Sequence, residues 1–517
     1  MNNIRTIWDG AVCKFSTLTA LKWPQNKSIR EMTYGALDLN VQKIRALLEN
    51  ENYRGAHIAI IGSSSPWWIA AYLGIVTGVN IAIPLDASLP DEELIDLLNR
   101  SDSEALFLGI TRELLKEKIL ENCPKIRRII MLSEEEFASF PKGTVSVPGA
   151  CEYEIATIIY TSGTTGKSKG VMLTQKNLTD NVISVEYDGV PGCVTLSVLP
   201  IHHAYCLVMD YLKTLSLGAT ICINDSFMHM IRNMSVFKPE VMLMVPLMIE
   251  TIYKKVDALE KNALNSFGGA ASLKTISAVK ENISEKVFGG NLRTIFTGGA
   301  HLDPFYIEKF EDYGITVLEG YGMSECSPVI TSNTPSDHKP GSIGKPLRNV
   351  EISFENGEIL VRGSSVMKGY YKMPAETDEA LKDGWLHTGD KGYLDEDGYL
   401  FINGRVKNLI IMSNGENVSP EEIENKLALD PLISEVIVTG ENNGLTARIF
   451  PDAEAIKEQG LSESELQNKL QLFIDEYNSS QPTFRHITSI VIRRTPFIRS
   501  STGKIKRQDA LKENPAA

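Results

Sequence analysis

Short apolar segments alternate with polar, helix-like segments over the first four hundred residues, and this alternation limits the folds open to the chain. Segments such as Asp91–Arg100 and Met248–Leu259 have helical patterns. The strand-like runs between such segments include His57–Ile61, Ile129–Leu132, Val194–Leu199, Thr220–Ile223, Val241–Val245 and Thr294–Thr297. Short apolar strands that alternate with helices predict an α/β architecture whose sheets are covered on both faces.

The pattern changes twice in the second half of the chain. Residues 349–403 contain strand-like runs and tight turns, which predict a small β subdomain. After Arg405, helical and strand-like segments alternate again and predict a small α+β domain. We place the boundary at Asn403–Lys407, so residues 1–404 form an N-terminal domain and residues 405–517 a C-terminal one. A chain of 517 residues is too long for one typical core.

Composition and charge exclude several classes of protein. The formal charge of −13 argues against a general nucleic-acid-binding surface, which needs a basic excess. Seven cysteines without a C-x-x-C pair predict neither a disulfide framework nor a zinc site, and they favour a reducing cytoplasm. The segment Met1–Ala11 lacks the apolar stretch of a secretory signal. We expect Trp67–Ile83 to be a buried helix and a short strand rather than a membrane span, because Gly74, Gly78 and Pro84 interrupt it.

The strongest local signal is the segment Tyr160–Gly170, whose sequence is YTSGTTGKSKG. The apolar run Ala156–Tyr160 leads directly into it. Its glycines let backbone N–H groups approach an anion closely, and Lys167 and Lys169 add positive charge. It is not a Walker A loop, because Thr161 stands where that motif needs glycine. A flexible turn is the alternative, but the preceding strand favours a polyphosphate site.

This loop resembles the T-S-G-T-T-G-x-P-K-G signature of the adenylate-forming superfamily, which contains acyl-CoA synthetases, adenylation domains and luciferases. Ser168 stands where that signature has proline, while Lys169 and Gly170 keep their places. Six further segments resemble motifs of the same superfamily in the expected order: Leu199–His203, Thr297–Ala300, Glu319–Glu325, Gly384–Asp390, Gly404–Ile410 with Gly415–Glu424, and Ser501–Arg507.

The resemblance implies a large N-terminal domain of two doubly wound α/β subdomains plus a small β-barrel-like subdomain, with a small mobile α+β domain at the C-terminus. It also implies a reaction that uses ATP and Mg²⁺. A carboxylate oxygen attacks the α-phosphorus of ATP, pyrophosphate leaves, and a thiol such as that of coenzyme A then displaces AMP from the acyl-adenylate. Negative charge that develops on the phosphate oxygens needs positive groups around it.

The resemblance implies a nucleotide and metal site built from many of the motif residues. It implies four catalytic residues, Lys169, His203, Glu325 and Lys504, and two metal ligands, Thr161 and Glu325. The residues that it implies for binding ATP are Thr161, Ser162, Gly163, Thr164, Thr165, Gly166, Lys169, Gly299, Ala300, Glu319, Gly320, Tyr321, Gly322, Met323, Ser324, Asp390, Arg405, Lys407 and Lys504.

Individual roles follow from these positions. Asp390 suits the two ribose hydroxyls because an ionised carboxylate only accepts hydrogen bonds, and Tyr321 can stack on adenine. Lys504 is expected to reach the reacting phosphate during adenylation, and Lys407 occupies the hinge about which the small domain swings before the thiol enters. His203 matches the family histidine beside the acyl pocket.

The histidine segment gives no sign of a general base. His202 faces away from His203 if the segment is extended, and the sequence shows no partner that would make either ring a general base. The segment is followed by Ala204–Met209, without the acidic anchor that amino-acid-activating members carry there. The methionine-rich run Val241–Val245 could line a pocket for a flexible chain, although a core strand is the plain interpretation. The segments Gly341–Pro346 and Ile359–Tyr371 resemble the long-chain acyl-CoA synthetase branch, and this resemblance implies a medium- or long-chain fatty acid. Aryl acids stay open.

The thiol acceptor is coenzyme A by default for the long-chain acyl-CoA synthetase branch. The alternative is a stand-alone enzyme that loads an acyl or aryl acid onto a carrier protein, and Ile411, where several relatives have lysine, weakens the coenzyme A interpretation slightly. A nucleotide-binding regulatory protein without turnover is a third hypothesis, against which Lys169, Glu325, Asp390 and Lys504 argue. We expect no nucleic-acid partner, and a fatty substrate leaves peripheral membrane contact open.

Overall fold

The structure is a computed structural model that describes residues 3–140, 149–161, 167–265, 272–412, 416–441, 444–499, 505 and 507. Its strands, in chain order, are β1 Thr19–Gln25, β2 Ser28–Thr33, β3 His57–Ile61, β4 Ile81–Leu85, β5 Ala105–Leu108, β6 Arg128–Met131, β7 Ile155–Thr161, β8 Lys169–Thr174, β9 Val194–Ser197, β10 Thr220–Ile223, β11 Val241–Met244, β12 Thr294–Thr297, β13 Thr316–Gly322, β14 Val329–Ser332, β15 Lys345–Pro346, β16 Val350–Glu355, β17 Glu358–Gly363, β18 Gly369–Tyr370, β19 Leu381–Lys382, β20 Trp385–Leu394, β21 Leu400–Arg405, β22 Ile410–Ile411, β23 Asn417–Val418, β24 Ile433–Glu441, β25 Gly444–Pro451 and β26 Ile487–Ile492.

The helices lie mostly between the strands of the first three hundred residues and again in the C-terminal part. They are α1 Ile4–Phe15, α2 Tyr34–Asn50, α3 Pro66–Val76, α4 Asp91–Arg100, α5 Lys116–Asn122, α6 Glu134–Ser139, α7 Gln175–Ser184, α8 Thr214–Ser216, α9 Met230–Phe237, α10 Pro246–Asn265, α11 Leu273–Phe288, α12 Pro304–Glu311, α13 Pro374–Ala380, α14 Pro420–Leu427, α15 Ala453–Gln459 and α16 Glu463–Ser479. A π-helical segment, Cys206–Lys213, leads into α8.

Two large sheets form the body of the protein. The nine-stranded sheet has the order β15-β14-β13-β12-β11-β9-β10-β1-β2, and its six strands from β13 to β1 are parallel. The seven-stranded sheet has the order β18-β8-β7-β4-β3-β5-β6, with five parallel strands from β7 to β6. Because all carboxyl ends of parallel strands lie at one edge, each sheet gathers its strand-end loops at that edge.

The central strands of the two large sheets are mostly apolar because helices cover both faces of the sheets. In β3, Ile58 and Ile60 pack into the main hydrophobic core, while Ala59 and Ile61 point to the opposite face and pack with residues of α4 and α5. Side chains of a strand alternate between the two faces, so a strand that is buried on both sides has no polar positions. The α/β fold predicted from the alternating pattern is thus confirmed.

A third sheet and a separate small core follow these two sheets. The five-stranded sheet β16-β17-β20-β19, with β21 paired to β20, is antiparallel and spans Val350–Arg405. Beyond it, β24, β25 and β26 form a small sheet whose core includes Ile423 of α14 and Leu470 of α16. The large N-terminal and smaller C-terminal architecture expected from the sequence is therefore observed.

Several helices begin at a residue whose side chain caps the backbone. Thr174 accepts the N–H of Asn177 while the Asn177 side chain accepts the N–H of Thr174, which starts α7 directly after β8. Ser65 caps α3 in front of Pro66. Helix α3 and strand β4 confirm the expectation of a buried helix and short strand there, and no helix in the described ranges has the length and apolar character needed to cross a bilayer.

The sequence missed some boundaries. Strand β9 ends at Ser197, two residues before the expected end, and α10 runs beyond the expected Met248–Leu259 at both ends. Strand β18 also lies within the expected β subdomain but pairs with β8 of the seven-stranded sheet. Such pairing brings a tyrosine from that subdomain to the phosphate loop, as the next section describes.

Candidate active site

The phosphate loop begins and ends on an antiparallel pair of strands. Thr161, the last residue of β7, pairs with Lys169, the first of β8. Ser162, Gly163, Thr164, Thr165 and Gly166 lie outside the described residues. Arg100, at the end of α4, donates a 2.6 Å hydrogen bond to the carbonyl oxygen of Ser168 and so fixes the exit of the loop.

Tyr370 links two of the predicted catalytic residues. The Nζ atom of Lys169 lies 4.8 Å from the centre of the Tyr370 ring, and the Tyr370 hydroxyl donates a 2.8 Å hydrogen bond to Oε1 of Glu325. The backbone N–H of Met367 also donates to the carbonyl of Glu325 at 2.8 Å. One aromatic side chain therefore holds a cation by its face and a carboxylate by its hydroxyl.

A second group of contacts joins the nine-stranded and five-stranded sheets and involves Asp390, Tyr321 and Arg405. The Tyr321 hydroxyl donates to Oδ2 of Asp390 at 2.6 Å, and Nε of Arg405 lies 2.8 Å from Oδ1. The Asp390 side chain is only 6 % exposed. Each carboxylate oxygen keeps a second lone pair, so Asp390 can still accept hydrogen bonds from ribose hydroxyls. Burial and the Asp390 charge hold the pKa of Tyr321 well above its usual range, so this hydroxyl stays a donor.

The predicted adenine-side residues lie together at neighbouring strand ends. Strands β12 and β13 are parallel with Thr297 beside Glu319, which brings the turn at Gly299 and Ala300 next to Gly320. Gly299 has a φ of +86°, a conformation that favours glycine. A Cβ at Gly322 would lie 2.1 Å from the carbonyl oxygen of Pro328, so no larger residue fits there. Met323 and Ser324 follow directly.

Glu319 is buried at this turn. Burial raises its pKa to about 8, against backbone hydrogen bonds from Leu302 and Gly341. One of its oxygens is buried without a hydrogen-bond partner in the residues that the structure describes. A carboxyl with this pKa is mostly protonated at neutral pH, so Glu319 brings little negative charge to a nucleotide bound beside it.

The histidine pair differs from the expectation. The chain turns after β9 instead of extending, so His202 does not face away from His203 and their rings lie 4.2 Å apart. The structure also places a carboxylate beside His202 that the sequence did not indicate, because Nε2 of His202 lies 3.6 Å from Oδ2 of Asp86. Asp86 directly follows β4 of the other large sheet.

The remaining predicted residues lie at the start of the C-terminal part or beyond it. Lys407 sits in a 3₁₀ turn, Val406–Asn408, directly after Arg405. Lys504 lies outside the described residues. Tyr370, Arg100 and Asp86 are candidate functional residues that the sequence interpretation missed. For Tyr370, the run Gly369–Tyr371 was a sequence signal. Arg100 and Asp86 gave none, because their contacts join segments that are distant in the sequence.

The donors present suit Mg²⁺ better than a tightly caged metal. The described residues contain no group of three or more histidine, cysteine or acidic side chains placed to bind an ion. The two predicted ligands, the Thr161 hydroxyl and the Glu325 carboxylate, are hard oxygen donors. Mg²⁺ takes few protein ligands and keeps waters or substrate phosphates, so these two residues fit it.

Comparisons with known proteins match most of the chain. The family model of AMP-binding enzymes matches residues 11–371, and that of the AMP-binding enzyme C-terminal domain matches residues 407–515. Long-chain-fatty-acid–CoA ligase FadD15 of Mycobacterium bovis is 28% identical over 472 residues, covering 82% of this chain and 76% of its own.

Two further proteins resemble the chain in sequence or in fold. Peroxisomal long chain acyl-CoA synthetase 7 of Arabidopsis thaliana is 30% identical over 492 residues, covering 84% of this chain and 70% of its own. The crystal structure of the anthranilate CoA ligase AuaEII with anthranoyl-AMP superposes with a TM-score of 0.83 at 22% identity, covering 99% and 96% of the two chains. At that identity, the likeness concerns the fold.

Proposed function

Because this chain belongs to the AMP-binding enzyme family, as an AMP-forming acid–thiol ligase close to the long-chain acyl-CoA synthetases, we propose that it converts a medium- or long-chain fatty acid to its coenzyme A thioester. The observation that carries the proposal is the meeting of Lys169 and Glu325 on Tyr370. The relatives named for long-chain acids support the choice of substrate.

In the first half-reaction, a carboxylate oxygen of the acid attacks the α-phosphorus of ATP and pyrophosphate leaves. Lys169 neutralises charge on the phosphate oxygens, and Lys504 joins it from the C-terminal tail. Mg²⁺, held by Thr161 and Glu325, would supply further positive charge at the phosphates. Asp390 orients the ribose by accepting its hydroxyls, while Tyr321 and Arg405 keep the Asp390 carboxylate fixed.

In the second half-reaction, the thiol of coenzyme A attacks the acyl carbon and AMP leaves. We propose that the C-terminal domain, residues 405–517, turns about Lys407 between the two steps, because one fixed arrangement cannot serve two leaving groups. A reducing compartment such as the cytoplasm suits the chain, since all seven cysteines are unpaired.

The test measures pyrophosphate release by the purified protein with ATP, Mg²⁺ and a series of carboxylic acids, with and without coenzyme A. We expect release that fatty acids stimulate and that coenzyme A sustains over many turnovers. A Lys169→Met preparation, purified in parallel, measures contaminating ligase activity. Preference for aryl acids would refute the proposal of a fatty-acid substrate. A single turnover that continues only when a phosphopantetheine-bearing carrier protein is added would refute coenzyme A as the acceptor.

A further inference from the structure

A buried carboxylate–imidazole pair joins the two large sheets. Asp86 follows β4 of the seven-stranded sheet, and His202 follows β9 of the nine-stranded sheet. Nε2 of His202 and Oδ2 of Asp86 lie 3.6 Å apart, with side-chain exposures of 14% and 12%. Neither atom has a hydrogen-bond partner among the residues that the structure describes. The separation is slightly beyond hydrogen-bond length, which is common for catalytic contacts before substrate binds.

The carboxylate is oriented from its other side. Both the backbone N–H and the hydroxyl of Ser88 donate to Oδ1 of Asp86, at 2.8 and 2.7 Å. This local turn leaves Oδ2 directed at the imidazole. A carboxylate on Nε2–H would fix the ring orientation and leave Nδ1 as the nitrogen that can accept a proton.

The charges favour a neutral imidazole beside an ionised carboxylate. Burial lowers the pKa of His202, against the attraction of Asp86, so the ring is unprotonated at neutral pH. Burial opposes ionisation of Asp86, but the attraction of the histidines when protonated and the Ser88 hydrogen bonds outweigh it, so its pKa lies below its usual value. The titratable groups that face His202 in the described residues are Asp86 from the other sheet and His203 beside it.

The pair stands beside the predicted reaction centre. Strands β4 and β7 are parallel neighbours with Ala82 opposite Thr157. Strand β4 ends at Leu85 and β7 at Thr161, so Asp86 follows its strand at the edge of the sheet where the phosphate loop begins. His203, whose ring contacts that of His202, matches the family histidine beside the acyl pocket. Hence the pair lies between the elements expected to hold the phosphates and the acyl group.

We propose that His202 is the base that removes the proton of the attacking thiol, with Asp86 as its positioning residue; this inference rests on the proposed function. The thiol S–H bond breaks and the proton goes to Nδ1 of His202. The thiolate sulfur forms a bond with the acyl carbon, and the bond from that carbon to the phosphate oxygen of AMP breaks. AMP leaves with the electron pair, and the imidazolium returns its proton to water. The thiolate is the reactive form of a thiol, whereas the carboxylate of the first step needs no base.

The experiment separates the two half-reactions in the full-length protein. Adenylation is measured as fatty-acid-dependent exchange of labelled pyrophosphate into ATP. Thioester formation is measured as a single turnover from preformed acyl-adenylate to coenzyme A, between pH 6 and 9. The variants are His202→Gln and Asp86→Asn. The matched control is His229→Gln, because His229 forms a comparable pair with Asp225, at 2.9 Å, on the exposed surface.

We expect His202→Gln to leave pyrophosphate exchange within about twofold and to slow thioester formation about 100-fold at pH 7. Asp86→Asn should slow the same step about tenfold, since it only mispositions the base. The deficit of His202→Gln should shrink about tenfold per pH unit toward ~8.5, where an ordinary thiol ionises without help. His229→Gln should match the unmodified protein in both steps.

A deficit that does not change with pH would overturn the inference, as would equal losses in both half-reactions. If His202→Gln does not fold, its pyrophosphate exchange activity also disappears. Asp86→Asn then tests the inference by the same criterion, namely whether its deficit in thioester formation shrinks as the pH rises. Failure of the proposed function has a different signature. It appears in the unmodified protein, which would form adenylate but transfer no acyl group to coenzyme A, whereas failure of this inference appears only in the variants.

Discussion

Asp210 should reduce the stability of the folded protein at neutral pH. The side chain lies on the π-helical segment with no solvent exposure, where Oδ2 accepts a 3.0 Å hydrogen bond from the hydroxyl of Ser197 and a longer one from the Cys206 thiol. Oδ1 is buried without a hydrogen-bond partner in the described residues. Burial raises the pKa of Asp210 to about 7, and the Ser197 hydroxyl opposes this.

The sign and size of the effect follow from the pKa. In the unfolded chain an aspartate has a pKa of about 4. Below that value the carboxyl is protonated in both the folded and the unfolded state, so the ionisation of Asp210 does not contribute to the free energy of unfolding. Between about pH 4 and 7 the unfolded chain loses its proton and the folded protein keeps it, so stability falls as pH rises. Above about pH 7 the full cost applies, up to about 4 kcal/mol for this difference in pKa.

The perturbation is Asp210→Asn, which keeps an oxygen for the Ser197 hydroxyl but cannot ionise. We expect the variant to be more stable than the unmodified protein at pH 8, by about 1 to 4 kcal/mol, and this advantage to disappear near pH 4. With an m value of about 3 kcal/mol per molar urea, the midpoint at pH 8 should rise by up to about 1 M.

The assay is urea unfolding at pH 5 and pH 8, followed by tryptophan fluorescence. All five tryptophans precede residue 405, so the signal reports the part of the chain that contains Asp210. The control is Asp378→Asn, which replaces an exposed carboxyl group on α13 and should leave the midpoint unchanged. Equal destabilisation of the variant at both pH values would refute the reasoning. It would show that the Asp210 carboxyl group stabilises the folded protein whether or not it is ionised.

Three further substitutions test the proposed site. Tyr370→Phe removes the hydroxyl that holds Glu325, so the Mg²⁺ concentration for half-maximal pyrophosphate release should rise about tenfold. The control is Tyr371→Phe, which loses a comparable hydrogen bond to Asp102 and should leave that concentration unchanged. Lys504→Ala should slow adenylation far more than thioester formation, and equal losses would contradict its role at the phosphate. Lys407→Pro should preserve pyrophosphate exchange and block thioester formation, because a fixed φ hinders the swing; normal thioester formation would exclude that swing.

Much of the fold was predictable because the strands carry their own signal. Runs such as His57–Ile61, Thr220–Ile223 and Thr294–Thr297 are strands with the expected bounds. Helices cover both faces of these strands, so the strands must be apolar on both faces. Each strand therefore shows its own apolar run in the sequence. Boundaries next to a proline or a tight turn were less secure: Val194–Leu199 lost its last two residues where the chain turns before Pro200.

The site was predictable only where one segment contains the signal. The phosphate loop, the Asp390 segment and the Glu319–Glu325 segment each resemble a motif by themselves. Tyr370 reaches Lys169 because β18 pairs with β8, and Asp86 reaches His202 where the two large sheets meet. No run of neighbouring residues in the sequence records either contact. The alternation rule also failed at His202, because it assumes an extended backbone, and the turn at 200–203, before the π-helical segment, places both rings side by side.

In the proposed mechanism, the two half-reactions need different groups, which two parts of the chain would supply. Adenylation makes a leaving group that is highly charged, so the proposed cation, Lys504, would be useful only while pyrophosphate departs. The thiol step would need a proton acceptor after that cation has withdrawn, so the acceptor would have to belong to the part that stays in place. Asp86 and His202 meet this condition, since both follow strands of the large N-terminal sheets. A mobile domain that supplies the cation and a fixed body that supplies the base would let each step proceed without the charge that the other step requires.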